Sequence, residues 1–198
     1  WLGSGKSPQE SIEKGIEMEQ KALAMDDSIA NAHARLGVFY VLKRDFDKAI
    51  AEAERAVTLD PGGAWPHVNY GMILYWAGRS EEAIPVLQKA IRLNPLGETG
   101  TFLHLGHALR NTGRVEEAVS AYKKSIQRSP DNIFAHYGLA ATYIMMGQEK
   151  EARTEAAEVL RINPKFSVDE YAKVYSFSFK DQLEKDKYVD ALRKAGLK

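Results

Sequence analysis

Four dipeptides that end in proline set the frame of this 198-residue chain: Asp60-Pro61, Asn94-Pro95, Ser129-Pro130 and Asn163-Pro164. The prolines are 34, 35 and 34 residues apart. Each closes an apolar-periodic segment: FDKAIAEAERAVTLDP, SEEAIPVLQKAIRLNP, VEEAVSAYKKSIQRSP and EKEARTEAAEVLRINP. Before each segment lies another helical stretch. These stretches end at Arg44-Asp45, Gly78-Arg79, Gly113-Arg114 and Gly147-Gln148. A fixed period of this length means an array, because a lone helix pair cannot bury its apolar stripe and must share it with the next pair.

Small residues recur where such helices cross. Leu36-Gly37, Tyr70-Gly71, Leu105-Gly106 and Leu139-Ala140 occupy equivalent places in the first helix of each pair. Ala49, Ala83, Ala118 and Ala152 do so in the second, followed by Ala56, Ala90, Ser125 and, out of pattern, Val159. On these residues the chain resembles the tetratricopeptide-repeat (TPR) family over nearly its whole length. The resemblance implies an all-α fold, a right-handed solenoid of antiparallel helix pairs. Four complete repeats are expected at 30–63, 64–98, 99–132 and 133–164. An incomplete leading repeat, its second helix, takes 1–29, and a C-terminal capping element of two helices takes 165–198.

Two departures carry expectations. Pro85 lies inside a helix, where it removes a backbone hydrogen bond and should kink it. The extra residue within Leu96-Gly97-Glu98 should shift the pitch between the second and third complete repeats. At the end, Ser167 and Glu170 have capping-box spacing and Gly196 suits a C-cap. Tyr171, Tyr175, Phe177, Phe179 and Tyr188 then read as packing for a lid over the last apolar edge.

The opening WLGSGKSPQE spells GSGKS, the tail of a phosphate-binding loop. The full pattern needs an earlier glycine and a preceding strand, and only Trp1 and Leu2 stand before Gly3. Ser7-Pro8-Gln9-Glu10 reads instead as a helix start, with Ser7 as N-cap and Glu10 closing a capping box. GSGKS is then an inter-helix turn, and the start reads as an internal point of a longer chain.

Composition removes several function classes. Lysine plus arginine equals aspartate plus glutamate, 27 against 27, so no basic footprint for nucleic acid is present. No cysteine exists for disulfides, thiolate metal sites or nucleophiles. No apolar run is long enough to span a membrane, and no signal peptide is legible. A cytoplasmic location is expected.

In the family the first helices line a concave groove. The resemblance places there Asn31, Arg35 and Val38, then Asn69, Met72, Tyr75 and Trp76, then His104, His107, Arg110 and Asn111, then Phe134 and Tyr137. These are the candidate partner-binding residues. An apolar groove with few polar anchors suits an extended peptide or a partner helix, and Trp, Tyr and Arg are frequent interface hot spots. Asn69 alone matches the family's carboxylate clamp clearly; Val38 and Ala34 replace two of its members. His104 and His107 have metal-compatible spacing but lack a third ligand at equivalent positions. His33, His67 and His136 read as packed or hydrogen-bonded. Neither catalytic residues nor a cofactor are expected.

The tail carries a narrower likeness. AATYIMMGQEKEARTEAAEVLRINPKFS and FKDQLEKDKYVDALRKAGLK, with the leading KSPQESIEKGIEMEQKALAMDDS, look like the TPR arrays behind bacterial class III adenylate/guanylate cyclase domains. This implies the non-catalytic regulatory end of a larger signalling protein. The expected function is a protein-interaction module; the alternative is a scaffold that self-associates.

Overall fold

The computed structural model describes residues 7–97, 99–175 and 180–198. Eleven helices form among the described residues: α1 (Pro8–Met25), α2 (Ala30–Leu42), α3 (Phe46–Leu59), α4 (Ala64–Trp76), α5 (Ser80–Leu93), α6 (Thr99–Asn111), α7 (Val115–Arg128), α8 (Ile133–Met145), α9 (Glu149–Ile162), α10 (Val168–Tyr175) and α11 (Gln182–Lys194). Each helix packs on the next from α1 to α9, and α2, α4, α6 and α8 also pack on one another. Those four therefore make an inner layer, with α3, α5, α7 and α9 outside. This is an α-solenoid of helix pairs.

Local chemistry explains the breaks. The turn inside each pair contains a residue with left-handed backbone: Arg44 (φ 61°), Gly78 (78°), Gly113 (76°) and Gly147 (71°). Beyond it, the N–H groups of Asp45, Arg79, Arg114 and Gln148 reach back to the carbonyls of Tyr40, Leu74, Leu109 and Tyr143. This repeated Schellman-type closure satisfies carbonyls that a helix end otherwise leaves unpaired. Between pairs, the four prolines sit in tight turns. The N–H groups of Gly63, Gly97, Asn132 and Phe166 bond to the carbonyls of Asp60, Asn94, Ser129 and Asn163, with proline where its fixed φ suits a turn. At the start, Ser7 and Glu10 form the reciprocal capping box of α1.

Close approach follows from the small residues. Ala49, Ala83, Ala118 and Ala152 are fully buried. A Cβ on Gly106 or on Gly138 would sit 2.7 Å from the Tyr122 ring in either case. Tyr122, on α7, is fully buried, wedged between the inner helices α6 and α8. One apolar cluster runs from Leu74 to Leu197, and a second joins Val41, Phe46, Ala49, Ala53, Ile73 and Ala77.

α5 continues unbroken through Pro85 from Ser80 to Leu93; the proline ring lies on its exposed face. At the 35-residue spacing, Arg128 of α7 donates to the carbonyls of Pro95 and Gly97, which ties the longer turn to the following pair. Glu98 lies outside the described residues.

The tail does more than close the last edge. Ser167 caps α10 through the Glu170 N–H at 3.4 Å, and Asp181 caps α11. α11 then packs against the inner helix α8 and against α10. At its end Gly196 takes φ 102°, and the Lys198 carbonyl accepts from the Val168 N–H at 2.8 Å. Tyr188, Val189, Ala191, Leu192, Ala195 and Leu197 are all buried in the main core. The second helix of the element expected over the last apolar edge thus lies along the concave side. The Tyr175, Phe177 and Phe179 side chains lie outside the described residues.

Candidate functional site

The centre of the concave face is built on α6, whose period brings His104, His107 and Arg110 to one side at intervals of three. Tyr75 of α4 stacks on His107 at 5.3 Å between ring centres and 13° between planes. From the layer below, Tyr122 meets His107 edge-on at 5.4 Å, and its hydroxyl lies 2.8 Å from His107 Nδ1. From above, Tyr188 of α11 places its ring 3.9 Å from the Arg110 guanidinium carbon. Tyr188 also stands edge-on to Tyr137 of α8 at 6.3 Å and to Tyr171 of α10 at 6.1 Å, angled at 63°.

This floor is electrostatically uneven. Burial, with Arg110 and His104 nearby, holds His107 well below the ordinary histidine range. Burial alone lowers His104 to about 4. Both imidazoles are therefore neutral at pH 7, while Arg110, 4% exposed, keeps its charge. Arg110 Nη2 donates to Asn111 Oδ1 at 2.9 Å. Three buried polar atoms here have no hydrogen-bond partner among the described residues: His104 Nδ1, Arg110 Nη1 and Tyr188 Oη. Beside α11 a cleft of about 340 Å³ opens, with Arg110, Asn111, Ile144 and Met145 on one wall and Glu184, Lys187, Tyr188 and Lys194 on the other.

Family and structural comparisons agree with this architecture. A tetratricopeptide-repeat model matches residues 12–64, and another matches 40–97 and 109–176. The chain belongs to the tetratricopeptide-repeat family. No curated protein matches it. Among solved structures, "YrrB: a TPR protein with an unusual peptide-binding site" is 25% identical, with 83% of this chain and 84% of that one covered at a TM-score of 0.64. "PilW, widely conserved type IV pilus biogenesis factor" is 19% identical, covering 94% and 84% at 0.76. A MamA structure from Desulfovibrio magneticus RS-1 is 18% identical, covering 78% and 86% at 0.67. Proteins of this fold are protein-interaction modules, and no helix among the described residues is long and apolar enough to cross a membrane.

The TPR groove places the candidate residues in two groups. Asn31 and Arg35 of α2 are exposed, and Val38 with Met72 of α4 is half-buried. Arg35 is held by a two-pronged pair with Glu19 of α1, at 2.6 and 2.9 Å. The second group is buried. Tyr75, His107, Arg110 and Tyr137 are at most 9% exposed: Tyr75 stacks on His107, and His107, Arg110 and Tyr137 each pack against Tyr188 of α11. Asn69 is buried too, its amide donating to the Trp65 carbonyl of its own helix at 2.9 Å. Trp76 and His104 stay half-buried, edge to face at 6.3 Å. Asn111 is half-buried at the cleft, and Phe134 is 39% exposed, packed edge-on against Tyr137.

The remaining histidines are engaged in the scaffold. His33 and His136 each bridge to the outer helix of their own pair, through Glu52 at 2.6 Å and Glu155 at 2.7 Å. His67 reaches the Gly63 carbonyl at 2.7 Å. No group of three His, Asp or Glu side chains suited to a metal occurs among the described residues. Of GSGKS only Ser7 is described, as the N-cap of α1; Gly3 to Lys6 lie outside the described residues. The α11 residues of the cleft, Glu184, Lys187, Tyr188, Asp190, Ala191 and Lys194, were not assigned to a site by sequence reasoning. Their only signal is the amphipathic run of Tyr188, Val189, Ala191, Leu192 and Ala195, which marks a buried face without saying what it faces.

Proposed function

We propose that this chain is a non-catalytic interaction module that takes a partner peptide or helix on the open, N-terminal part of its concave face. The observation that carries the reading is α11 itself. α11 packs on α8 and reaches α6 through Tyr188, over Arg110 and beside His107, while Asn31, Val38 and Met72 on α2 and α4 retain accessible surface. A partner helix laid there would use Val38 and Met72 as apolar anchors and the Arg35–Glu19 pair as a polar rim. The YrrB structure, whose title gives it a peptide-binding site, lends support at 25% identity. The likeness of the tail to cyclase-associated arrays adds that the module serves a larger cytoplasmic signalling protein; a catalytic cyclase domain encoded upstream is the expected finding.

A photo-crosslinking residue at position 38 or 72 should capture a partner, while one at Lys89 on the exposed outer face of α5 should not. Met72→Glu should abolish the adduct. Adducts at 89 with none at 38 or 72 would refute the reading. Self-association is the second reading, favoured by Met18 and Met25 of α1, 61% and 90% exposed. Sedimentation equilibrium showing an oligomer lost in Met18→Lys/Met25→Lys would support it.

A further inference from the structure

We propose that the edge of the solenoid formed by the C-terminal ends of α5 and α7 docks on an anionic lipid surface. The first observation is a segregation of charge. The sequence has no aspartate or glutamate in residues 83–97 or 118–130, stretches that hold Lys89, Arg92, Lys123, Lys124 and Arg128. These cations are all exposed, and none makes an ion pair among the described residues. Other arginines of the array behave differently: Arg55, Arg79, Arg114 and Arg161 each hold a carboxylate. Lys89 and Lys124 occupy equivalent positions, beside Ala90 and Ser125, on adjacent outer helices. The turns on either side carry Asp60 and Asp131, which bound the patch. The chain as a whole is neutral, so the surplus is local.

The second observation is what stands among these cations. Leu96, in the turn that follows α5, is 92% exposed, and Leu93, the last residue of α5, is 38% exposed. The turn is braced from α7. Arg128 donates to the carbonyls of Pro95 and Gly97, and its guanidinium carbon lies 4.5 Å from the centre of the Phe102 ring. The Lys124 ammonium lies over the same ring at 5.7 Å. Cations in the last turns of helices suit the helix dipole, but the dipole gives no reason for the leucines. An apolar side chain held out from a fixed turn beside unpaired cations has the make-up of an interfacial anchor. The cations meet lipid phosphates and the leucine enters the acyl boundary. An acidic protein would have to supply a pocket for Leu96, and a nucleic-acid backbone would leave it in water; a bilayer buries it.

The test sediments the intact chain with vesicles of phosphatidylcholine containing about 30 mol% phosphatidylserine, and with phosphatidylcholine alone. Binding should need the anionic lipid and fall as salt rises. Each cation near such a surface contributes about fivefold in partitioning, so Lys89→Gln/Lys124→Gln should weaken binding about 25-fold. Leu96→Ala should weaken it roughly fivefold, and Glu98→Gln, which removes the acid of this turn, should strengthen it. Lys89, Lys124 and Leu96 are exposed, so the melting temperature of these variants should hold. The sequence has no cysteine, so Leu96→Cys can carry an environment-sensitive fluorophore. Its emission should shift to the blue on anionic vesicles, whereas the same label on Gln148→Cys, at the opposite edge, should not respond. No binding to anionic vesicles at low salt, equal binding to phosphatidylcholine alone, or binding that survives Lys89→Gln/Lys124→Gln would overturn the proposal. Tighter binding to poly-glutamate, with the label at position 96 still in water on vesicles, would overturn it in favour of an acidic protein. A bilayer at this edge leaves Val38 and Met72 on the concave face open, so crosslinking there succeeds or fails separately.

Discussion

Tyr188 and Tyr122 are both buried tyrosines against His107, yet their hydroxyl groups should respond oppositely to removal. The Tyr188 hydroxyl is buried without a partner. Tyr188→Phe keeps the ring over Arg110 and deletes a desolvated group, so stability should rise or stay level, by up to about 1 kcal/mol. Tyr122→Phe removes the 2.8 Å contact with His107 Nδ1. It also strands that nitrogen in the core, a loss of about 2 kcal/mol. Tyr188→Ala is the control for the ring itself: a 4% exposed aromatic side chain lost from the core should cost about 3–5 kcal/mol. Urea unfolding at pH 7 gives the differences, provided the m-value is unchanged, because repeat arrays can lose all-or-none behaviour. If Tyr188→Phe cost more than about 1 kcal/mol, its hydroxyl would be bonded in solution, with Arg110 or Tyr171 as the partner at hand, and the reasoning from an unpartnered hydroxyl would be refuted.

Acid should weaken the protein. His104 falls to about 4 in the fold against 6.5 when unfolded, so the unfolded chain binds the extra proton first. Stability is then full above pH 6.5 and declines as pH falls toward 4, by about 2 kcal/mol at pH 5 as an upper bound, since His104 keeps partial exposure. His107 shifts the same way and adds to the loss; urea titrations at pH 7 and 5, with and without His104→Gln, measure it. Gly138→Ala should destabilise by about 2 kcal/mol, because its Cβ meets a rigid ring at 2.7 Å. Most of that loss should vanish in a Tyr122→Leu background, read from a double-mutant cycle. Arg44 is the one non-glycine with positive φ among the described residues, and Arg44→Gly should raise the melting temperature slightly. Gly113→Ala, at φ 76°, should lose about 1 kcal/mol.

Much of the fold was legible because its causes are local. Proline spacing, the small residues at helix crossings and the turns at Arg44, Gly78, Gly113 and Gly147 each act within one or two helices, and the structure places helix ends there. The exchange of roles at the groove was not legible in the same way. Arg110, Tyr75 and Tyr137 do lie on the inner layer, as periodicity required. What covers them depends on where residues 180–198 turn, a contact across some eighty residues that no short-range pattern encodes. The amphipathic face of α11 fits an end cap and a groove-filling helix equally well. Tyr188, assigned to packing, proves to be the side chain that joins the two. Pro85 is tolerated inside α5, which runs from Ser80 to Leu93 with the proline on its exposed face.

Occupation of the groove by α11 is the central claim, and aromatic NOE spectroscopy tests it most directly. The Tyr188 ring should show cross-peaks to the Arg110 side chain, whose guanidinium carbon lies 3.9 Å from the ring centre, and to the His107 or Tyr137 ring. Amides of Tyr188, Val189 and Leu192 should exchange slowly with solvent. Tyr188 signals at unfolded-chain positions, without those cross-peaks and with fast-exchanging α11 amides, would contradict the account and return Tyr75, His107 and Arg110 to the open surface.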